Sequence, residues 1–273
     1  MTNGTGKHLP RGSRVNDAGH LEVGGCDMVA LATEFGTPAY VYSEDDIRSR
    51  AREYLAAFEA RTDDFEVIYA SKAAPIVAVL KVLVAEGLSI DVASGGELHA
   101  ALRADTDPAR IYLHGNNKTV ADLRKATEAE VGNIVCDSFE EIGRLDALLD
   151  SPQEVMIRVT PGIKANTHTY IQTGQLDSKF GFGLEDGLAA RGIEAIRGAQ
   201  HLRLVGLHAH IGSQIFELEP YVKTIEALAR LADDVALAPD ELRLLNVGGG
   251  LGIAYEADDD PPSIESYVDL KVE

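Results

Sequence analysis

The stretch that decides the fold is FEVIYASKAAPIVAVLKVLVAEGLSIDVASGGEL, which runs from Phe65 to Leu98. Its two ends carry short runs of β-branched and aromatic residues, which predict strands, and the longer apolar segment between them predicts a helix. A strand, a helix and a second strand in this order form a βα unit whose two strands lie parallel in one sheet. The stretch therefore predicts an α/β protein built on a parallel sheet.

The same unit recurs along the chain. An amphipathic helix from about Ser43 to Glu59 precedes it. Seven strands are predicted, at FEVIYA (65–70), LSIDVA (88–93), RIYLHG (110–115), GNIVCD (132–137), EVMIRVT (154–160), LVGLHAHI (204–211) and LRLLNV (242–247). Seven strands with short connections favour a (β/α)8 TIM-type barrel, whose usual size is about 250 residues. A doubly wound open sheet is the alternative, but polar residues follow almost every strand rather than one switch point.

Several helix starts carry the spacing of a capping box, in which a hydroxyl and a carboxylate three residues later bond each other's backbone N–H groups. The pairs are Ser94 with Glu97, Thr119 with Asp122, and Ser138 with Glu141. We therefore interpret Glu97 as a helix cap.

Composition excludes some classes of function. The 273 residues include 25 Lys and Arg against 44 Asp and Glu, a formal net charge of −19, which argues against nucleic acid as a partner. The most apolar stretch, Ala73 to Ile90, is interrupted by Lys81 and Glu86 and is too charged for a membrane span. Two cysteines cannot form a disulfide framework, which fits a reducing, cytoplasmic location.

Lys72 directly follows the first strand of the repeat and precedes an apolar helix. In a barrel, the carboxyl ends of the strands carry the active site. We expect the Lys72 amine to be partly desolvated there, which favours Schiff-base chemistry with a carbonyl. A surface lysine with a solvated amine is the alternative.

The turn GGGLG (248–252) follows the seventh strand. Its N–H groups are unobstructed by side chains and can form an anion site, and barrels often bind phosphate after this strand. It matches neither a Walker loop nor the GxGxxG dinucleotide spacing. A tight turn that needs positive φ would explain only one or two of the glycines.

His208 and His210 alternate at strand period, so both rings face the same side of the sheet. They could be metal ligands, although no further cluster completes such a site. They could equally be core histidines. In a third interpretation, an imidazole faces a flat cofactor while Ser213 reaches its phosphate. A Schiff-base lysine, a phosphate turn and a stacking imidazole in one barrel mouth indicate pyridoxal phosphate.

Several motifs in order resemble the fold-type III pyridoxal-phosphate decarboxylases, which have an alanine racemase-like barrel. They are YASKA (69–73), DVASGGEL (91–98), HGNNK (114–118), TGQLDSKFGFGL (173–184), HAHIGSQ (208–214) and NVGGGLGI (246–253). HGNNK and SKFGF favour the diaminopimelate branch over the ornithine and arginine decarboxylases. The resemblance implies conversion of meso-diaminopimelate to L-lysine and carbon dioxide by a homodimer. A pyridoxal-phosphate barrel protein without decarboxylase activity is a further alternative.

The resemblance also implies roles for individual residues. Lys72 would form the Schiff base with the cofactor, and His210 would stack on its ring. Asp91 would be the acidic residue beside the cofactor. Arg158 would bond the phenolic oxygen, or alternatively form an ion pair inside the barrel. The cofactor phosphate would be held by Ser213 and by the backbone of Gly248, Gly249 and Gly250.

Members of this family continue to an EPGR motif, which closes the barrel, and to a C-terminal β domain with a CESGD motif. The sequence given ends at Glu273, before both. We therefore expect a barrel without its last strand and without that β domain, with weak or no activity by itself. Residues 1–37 would pack with the β domain and be weakly anchored, and 38–273 would form the incomplete cofactor-binding barrel.

Overall fold

The first described elements form a small antiparallel sheet followed by a short helix. The structure, a computed structural model, describes residues 9–163, 179–256 and 258–272. The elements are β1 (Arg14–Val15), β2 (Leu21–Val23), β3 (Cys26–Asp27) and α1 (Met28–Phe35). The Asp27 carboxylate caps α1 by accepting the backbone N–H groups of Val29 and Ala30. No residue of α1 is buried, which fits the weak anchoring expected of this segment, and its packing against a further domain stays a prediction.

The helix predicted from Ser43 is confirmed as α2 (Glu44–Glu59), with Ser43 as its N-cap. Three acidic residues in its first turn complement the positive end of the helix dipole. The buried face of α2 packs against α3 (Val77–Ala85), the helix of the stretch quoted first.

All seven predicted strands are present. They are β4 (Ile68–Ala70), β5 (Ser89–Val92), β6 (Ile111–Leu113), β7 (Asn133–Cys136), β8 (Gln153–Thr160), β10 (Leu202–His208) and β11 (Leu244–Asn246), and β9 (Phe182–Gly183) pairs with the end of β8. The later helices are α4 (Gly95–Arg103), α5 (Val120–Glu128), α6 (Phe139–Leu148), α7 (Leu188–Gly198), α8 (Glu219–Asp234) and α9 (Ile264–Val272). None of the helices in the described ranges is long and apolar enough to span a bilayer.

The strand order confirms a barrel-type sheet. The seven parallel strands lie side by side in their order along the chain, from β4 at one edge to β11 at the other. A doubly wound sheet would reverse its order at a switch point, and this sheet does not. The sheet instead curls into a half-barrel, because parallel strands with a constant twist and sequential neighbours bend towards closure.

Two apolar layers cover the two faces of this sheet. Between sheet and helices lies the main core, which includes Ile111 and Leu113 of β6 together with Leu98 and Leu123 from the helices. On the opposite face, Tyr112 packs with residues of the neighbouring strands. The alternation within β6 follows from the two-residue period of a strand. Polar side chains past the carboxyl ends of the strands are thereby fixed at one end of the half-barrel.

The capping pairs are only partly confirmed. Ser94, Thr119 and Ser138 each accept the backbone N–H three residues later. Only Thr119 and Asp122 complete the reciprocal box. The interpretation of Glu97 as a helix cap is wrong, because its carboxylate accepts hydrogen bonds from the Ser71 hydroxyl and the Ala93 N–H instead.

Candidate active site

One cavity of about 1350 Å³ opens at the carboxyl ends of the strands and runs along the inner face of the sheet. Each candidate residue from the sequence lines it: Lys72, Asp91, Arg158, His210, Ser213, Gly248, Gly249 and Gly250. They come from the ends of five different strands and lie up to 178 positions apart in the chain (250 − 72). The sheet therefore brings together all of the residues that the motifs singled out.

Lys72 lies in a single 3-10 turn, Ser71–Ala73, directly after β4. The expected desolvation of its amine is wrong for this structure, because the side chain is exposed at the mouth of the cavity. A hydrogen bond fixes this turn, since the buried Ser71 hydroxyl donates to Glu97 Oε2 at 2.7 Å. The Ala93 N–H donates to the same oxygen at 2.9 Å, so Glu97 ties the turn after β4 to the turn after β5.

Asp91 on β5 faces the cavity beside Lys72. Burial raises the pKa of the Asp91 carboxyl from 3.8 to about 7, and the positive charge of Lys72 opposes that rise. A carboxyl with this pKa is mostly protonated below pH 7. It can therefore act as a hydrogen-bond donor or as an acceptor near neutral pH.

Arg158 of β8 is buried, and its guanidinium lies 4.3 Å from the centroid of the Phe180 ring. Burial lowers the pKa of Arg158, and the charges of Asp137 and Asp91 oppose this effect. Arg158 forms no ion pair within the described ranges, so the alternative interpretation of it as half of a barrel ion pair is not supported. Asp137 also accepts the Gly181 N–H at 2.8 Å and so holds the Phe180 segment against β8.

Three histidines meet on the cavity wall. His114 and His208 make an edge-to-face contact with ring centroids 4.6 Å apart, and burial lowers the pKa of both imidazoles well below 6.5. Burial, with the charge of Lys72, lowers the pKa of His210 to about 3, so its ring is neutral at pH 7. No group of three or more His, Cys, Asp or Glu side chains that could hold a metal ion occurs in the part of the chain that the structure describes.

The glycine turn after β11 has two glycines that packing requires and one that it does not. Gly248 (φ 74°) and Gly250 (φ 98°) are in the left-handed region. A Cβ on Gly248 would lie 2.8 Å from His210 Nδ1, and one on Gly250 would overlap the Gly212 carbonyl oxygen, next to Ser213. A Cβ on Gly249 would meet no described atom within 4 Å, which leaves its backbone open to the cavity.

The N–H groups of this turn are not equivalent. The Gly248 N–H donates to Asn246 Oδ1 at 2.9 Å, so this amide already has an acceptor within the protein, and its assignment to phosphate stays a prediction. The N–H groups of Gly249 and Gly250 donate to no acceptor among the residues the structure describes. An anion in the cavity can therefore accept from these two adjacent amides and from the Ser213 hydroxyl.

The sequence interpretation missed a buried ion pair behind the third strand. Lys118 Nζ donates to Glu141 Oε1 at 2.8 Å, and both side chains are almost fully buried. The same ammonium donates at 2.7 Å to the carbonyls of Gly115 and Val135, so each of its protons has an acceptor. The signal was the lysine of HGNNK, but Glu141 already had an explanation as the partner of Ser138. Thr173 to Ser178 of the TGQLDSKFGFGL string lie outside the described residues.

The sequence matches the family model described as pyridoxal-dependent decarboxylase, pyridoxal binding domain, over residues 44–272. It is 44% identical over 265 residues to the diaminopimelate decarboxylase of Bacillus subtilis (strain 168), covering 96% of this chain and 60% of that protein. For the diaminopimelate decarboxylase of Mycobacterium tuberculosis (strain ATCC 25618 / H37Rv), identity is 43% over 263 residues, covering 93% and 58%. The chain thus spans about 60% of the length of these curated relatives.

A solved structure gives the same likeness in three dimensions. Diaminopimelate decarboxylase from M. jannaschii in co-complex with L-lysine is similar with a TM-score of 0.87 and 30% sequence identity, covering 96% of this chain and 62% of that one. The Helicobacter pylori enzyme complexed with L-lysine has a TM-score of 0.81 and 29% identity, covering 89% and 61%. The half-barrel is therefore the fold of those enzymes over the part that the chain covers.

The residues present fit pyridoxal phosphate. Two adjacent N–H groups and a hydroxyl offer a cradle for a phosphate, and Gly249 leaves the space in front of it open. An exposed amine at Lys72 is accessible to an aldehyde, and the neutral ring of His210 lines the same cavity. The donor set is the one that a flat, phosphorylated aldehyde requires.

Proposed function

The chain belongs to the pyridoxal-dependent decarboxylases, whose pyridoxal binding domain it contains, and from this premise we propose that it serves the decarboxylation of meso-diaminopimelate to L-lysine and carbon dioxide. Curated relatives with 41–44% identity carry the name diaminopimelate decarboxylase. The observation that carries the proposal is the convergence of Lys72, His210 and the glycine turn on one cavity. Decarboxylation is proposed for the whole protein, because the chain spans about 60% of the length of these relatives.

Each cavity residue has a role in this proposal. Lys72 would hold the cofactor through its aldehyde, and its exposed position on the cavity would leave room for the amino group of a substrate. The N–H groups of Gly249 and Gly250 bind the phosphate together with Ser213, while Gly248 shapes the turn. His210 stacks on the cofactor ring, and its neutral imidazole does not repel a protonated ring nitrogen.

Two further side chains set the charge around the cofactor. Arg158 donates to the phenolic oxygen, and the Phe180 ring shields its guanidinium on one side. Asp91 lies beside the cofactor and can hold a proton near neutral pH, because burial raises its pKa to about 7. Pyridoxal phosphate, when bound, supplies an electron sink for the carbanion left by the departing carboxylate. The carbanion would take up one proton to give L-lysine, and Lys72 would be the amine that holds the cofactor again once the product amine has been released.

We further infer a cytoplasmic homodimer that takes part in lysine biosynthesis. Two cysteines, one exposed and one buried and both unpaired, suit a reducing compartment.

Exposed apolar residues in and after the N-terminal segment, Phe35 and Tyr40 among them, suit an interface with another domain or subunit. The division into residues 1–37 and a barrel from residue 38 belongs to this proposal. Sedimentation equilibrium tests the dimer, and a monomer at micromolar concentration would contradict it.

Cofactor attachment is the experiment that tests the function. The protein is incubated with pyridoxal phosphate, reduced with borohydride and digested. We expect the cofactor mass on the peptide that contains Lys72, and no label in Lys72→Ala. Lys81→Ala, which removes an exposed lysine on α3, is the matched control and should keep the label. Label on several lysines in equal amounts, or label that survives Lys72→Ala, would contradict the proposal.

Substrate class is tested on the same reaction. An amino acid that replaces Lys72 on the cofactor protects this lysine from borohydride trapping. We expect meso-diaminopimelate to protect at lower concentration than ornithine or arginine. Protection by ornithine or arginine at equal or lower concentration would favour a decarboxylase of that type. Protection by none of the three would favour a barrel protein that binds the cofactor without decarboxylating an amino acid.

A further inference from the structure

Three side chains of α8 and α9 donate hydrogen bonds to carbonyl oxygens of the glycine turn. The Tyr267 hydroxyl donates to the Gly248 carbonyl at 3.0 Å, and Lys271 Nζ donates to the same oxygen at 2.7 Å. The Tyr221 hydroxyl donates to the Gly249 carbonyl at 3.1 Å. Two successive carbonyls of the turn therefore point towards these two helices.

The orientation of a carbonyl fixes the orientation of the next N–H. In a trans peptide the C=O and N–H bonds are roughly antiparallel and lie in one plane. The Gly248 carbonyl shares its peptide with the Gly249 N–H, and the Gly249 carbonyl shares its peptide with the Gly250 N–H. Because both carbonyls point to α8 and α9, both N–H groups point the opposite way. These are the two N–H groups that have no acceptor among the described residues.

We propose that Tyr221, Tyr267 and Lys271 are positioning residues, here called the brace, which orient two glycine peptides so that their N–H groups bind the phosphate of the cofactor. The inference rests on the proposed function, since it needs a phosphorylated ligand on the other side of the turn. Tyr267 and Lys271 also line the cavity, so Tyr221, which is not among its lining residues, gives the cleanest test of an effect through the peptide planes. The effect of the brace passes through the peptide planes of Gly248–Gly249 and Gly249–Gly250.

The charge of Lys271 supports the same assignment. Its ammonium lies 4.1 Å from the centroid of the Tyr267 ring and forms no ion pair with a carboxylate of the described ranges. Burial lowers the pKa of Lys271 to about 7, because a charged amine is poorly solvated there. A phosphate bound in the cavity, which Lys271 itself lines, would supply the negative charge that this ammonium lacks.

The hydroxyl groups separate the brace from ordinary packing. Tyr221 and Tyr267 are almost fully buried and contact each other edge to face, with centroids 5.1 Å apart. The rings belong to an apolar cluster between α2, α8 and α9, a role that phenylalanine would fill equally well. Only the hydroxyls reach the turn, so a tyrosine-to-phenylalanine change removes the proposed function and keeps the ring.

The test compares two ligands that differ only in the phosphate. Cofactor-stripped protein is titrated with pyridoxal phosphate and with pyridoxal, and inorganic phosphate is added separately while the melting temperature is followed. The variants are Tyr221→Phe, Tyr267→Phe, Lys271→Met and their combination. Tyr40→Phe, which changes a tyrosine that is 94% exposed, is the control. Lys271→Arg tests whether another positively charged side chain at this position keeps the pyridoxal phosphate affinity that Lys271→Met loses.

We expect each single variant to weaken pyridoxal phosphate binding by about three- to tenfold, the range of one hydrogen bond, and the combination by more. Binding of pyridoxal should stay within about twofold, and the stabilisation by inorganic phosphate should shrink in parallel. If the combination does not fold, as judged by circular dichroism, the single variants carry the same comparison. Equal weakening of both ligands, or no weakening of either, would overturn the brace. A wild-type protein that binds neither ligand would instead overturn the proposed function.

Discussion

The central strands of the sheet and its two edge strands differ in burial and in the polar groups at their carboxyl ends. Every residue of β6 and β7 is buried, whereas no residue of β4 or β11 is. The central strands lead to buried, mutually satisfied groups, such as Lys118 with Glu141. The edge strands lead to the exposed amine of Lys72 and to the open N–H groups of the glycine turn.

The difference teaches that β6 and β7 lead to a structural ion pair, whereas the edge strands β4 and β11 lead to the groups proposed to bind the aldehyde and the phosphate. A strand with two neighbours and two covered faces contributes to the core, and a polar group at its end must find a partner inside the protein. A strand at the edge can leave an amine or an amide accessible from the cavity. Substitution of the ion pair behind β6 should therefore change mainly the free energy of unfolding, and substitutions of the open groups after β4 and β11 should change ligand binding.

The largest expected effect is that of breaking the central ion pair. Lys118→Met leaves the Glu141 carboxylate buried without its partner and should lower the free energy of unfolding by about 3–5 kcal/mol. Urea denaturation followed by circular dichroism measures it. Lys223→Met, which breaks the exposed pair of Lys223 with Glu219, is the control and should cause no measurable loss. An equal loss in both variants would remove the distinction between centre and surface.

A pair of glycine substitutions sharpens the edge side of the comparison. Gly250→Ala combines a left-handed φ of 98° with overlap on the Gly212 carbonyl and should lower the free energy of unfolding by about 2–4 kcal/mol. Gly249→Ala meets no described atom and should leave stability within about 0.5 kcal/mol, yet weaken pyridoxal phosphate binding at least about tenfold.

Gly143→Ala in α6, which also meets nothing within 4 Å, controls for the general effect of adding a methyl group. It should keep cofactor binding unchanged. If Gly249→Ala binds pyridoxal phosphate as tightly as Gly143→Ala does, then the open backbone at Gly249 is not where the anion lies.

The pH dependence of stability tests Asp91, which lies between the centre and the edge. Its pKa is raised from 3.8 to about 7, so the folded protein binds this proton more tightly than the unfolded chain does. The stabilising effect is complete below pH 3.8 and is lost as pH rises through 7. Asp91→Asn should therefore gain about 3 kcal/mol relative to the wild type between pH 4.5 and pH 8. Asp63→Asn, at an exposed position, is the control for replacing an aspartate by asparagine. Parallel stability curves for Asp91→Asn and wild type would contradict the raised pKa.

The smallest expected effect concerns the turn that carries Lys72. Ser71→Ala removes the 2.7 Å hydrogen bond to Glu97 and should lower the free energy of unfolding by about 1 kcal/mol. It should also slow borohydride trapping of the cofactor on Lys72 a fewfold, because the turn is less well fixed. Ser49→Ala, whose hydroxyl bonds a carbonyl within α2, is the matched control and should not change the trapping rate. Identical trapping in both variants would mean that Glu97 does not position Lys72.

Much of the architecture could be predicted because it depends on local periodicity. Each predicted strand overlaps an observed one, and the helix from Ser43 begins and ends as expected, since alternation and capping are properties of neighbouring residues. The motifs also located every residue named for the cavity. They failed where a side chain had two possible partners. Glu97 and Glu141 both stood three residues after a serine, and the structure pairs them with Ser71 and Lys118 instead.

The sequence by itself determined the positions of the strands, the cofactor family and the candidate residues after the strands, because these depend on patterns along the chain, whereas the strand order was settled by the structure. Only the tertiary structure decided which groups at the carboxyl ends of the strands are available to bind a ligand. It showed that Lys72 is exposed, that the Gly248 N–H donates to Asn246, and that side chains of α8 and α9 donate to the carbonyls of Gly248 and Gly249. Exposure, and the choice among competing hydrogen-bond partners, depend on residues that are distant in the chain and close only after folding.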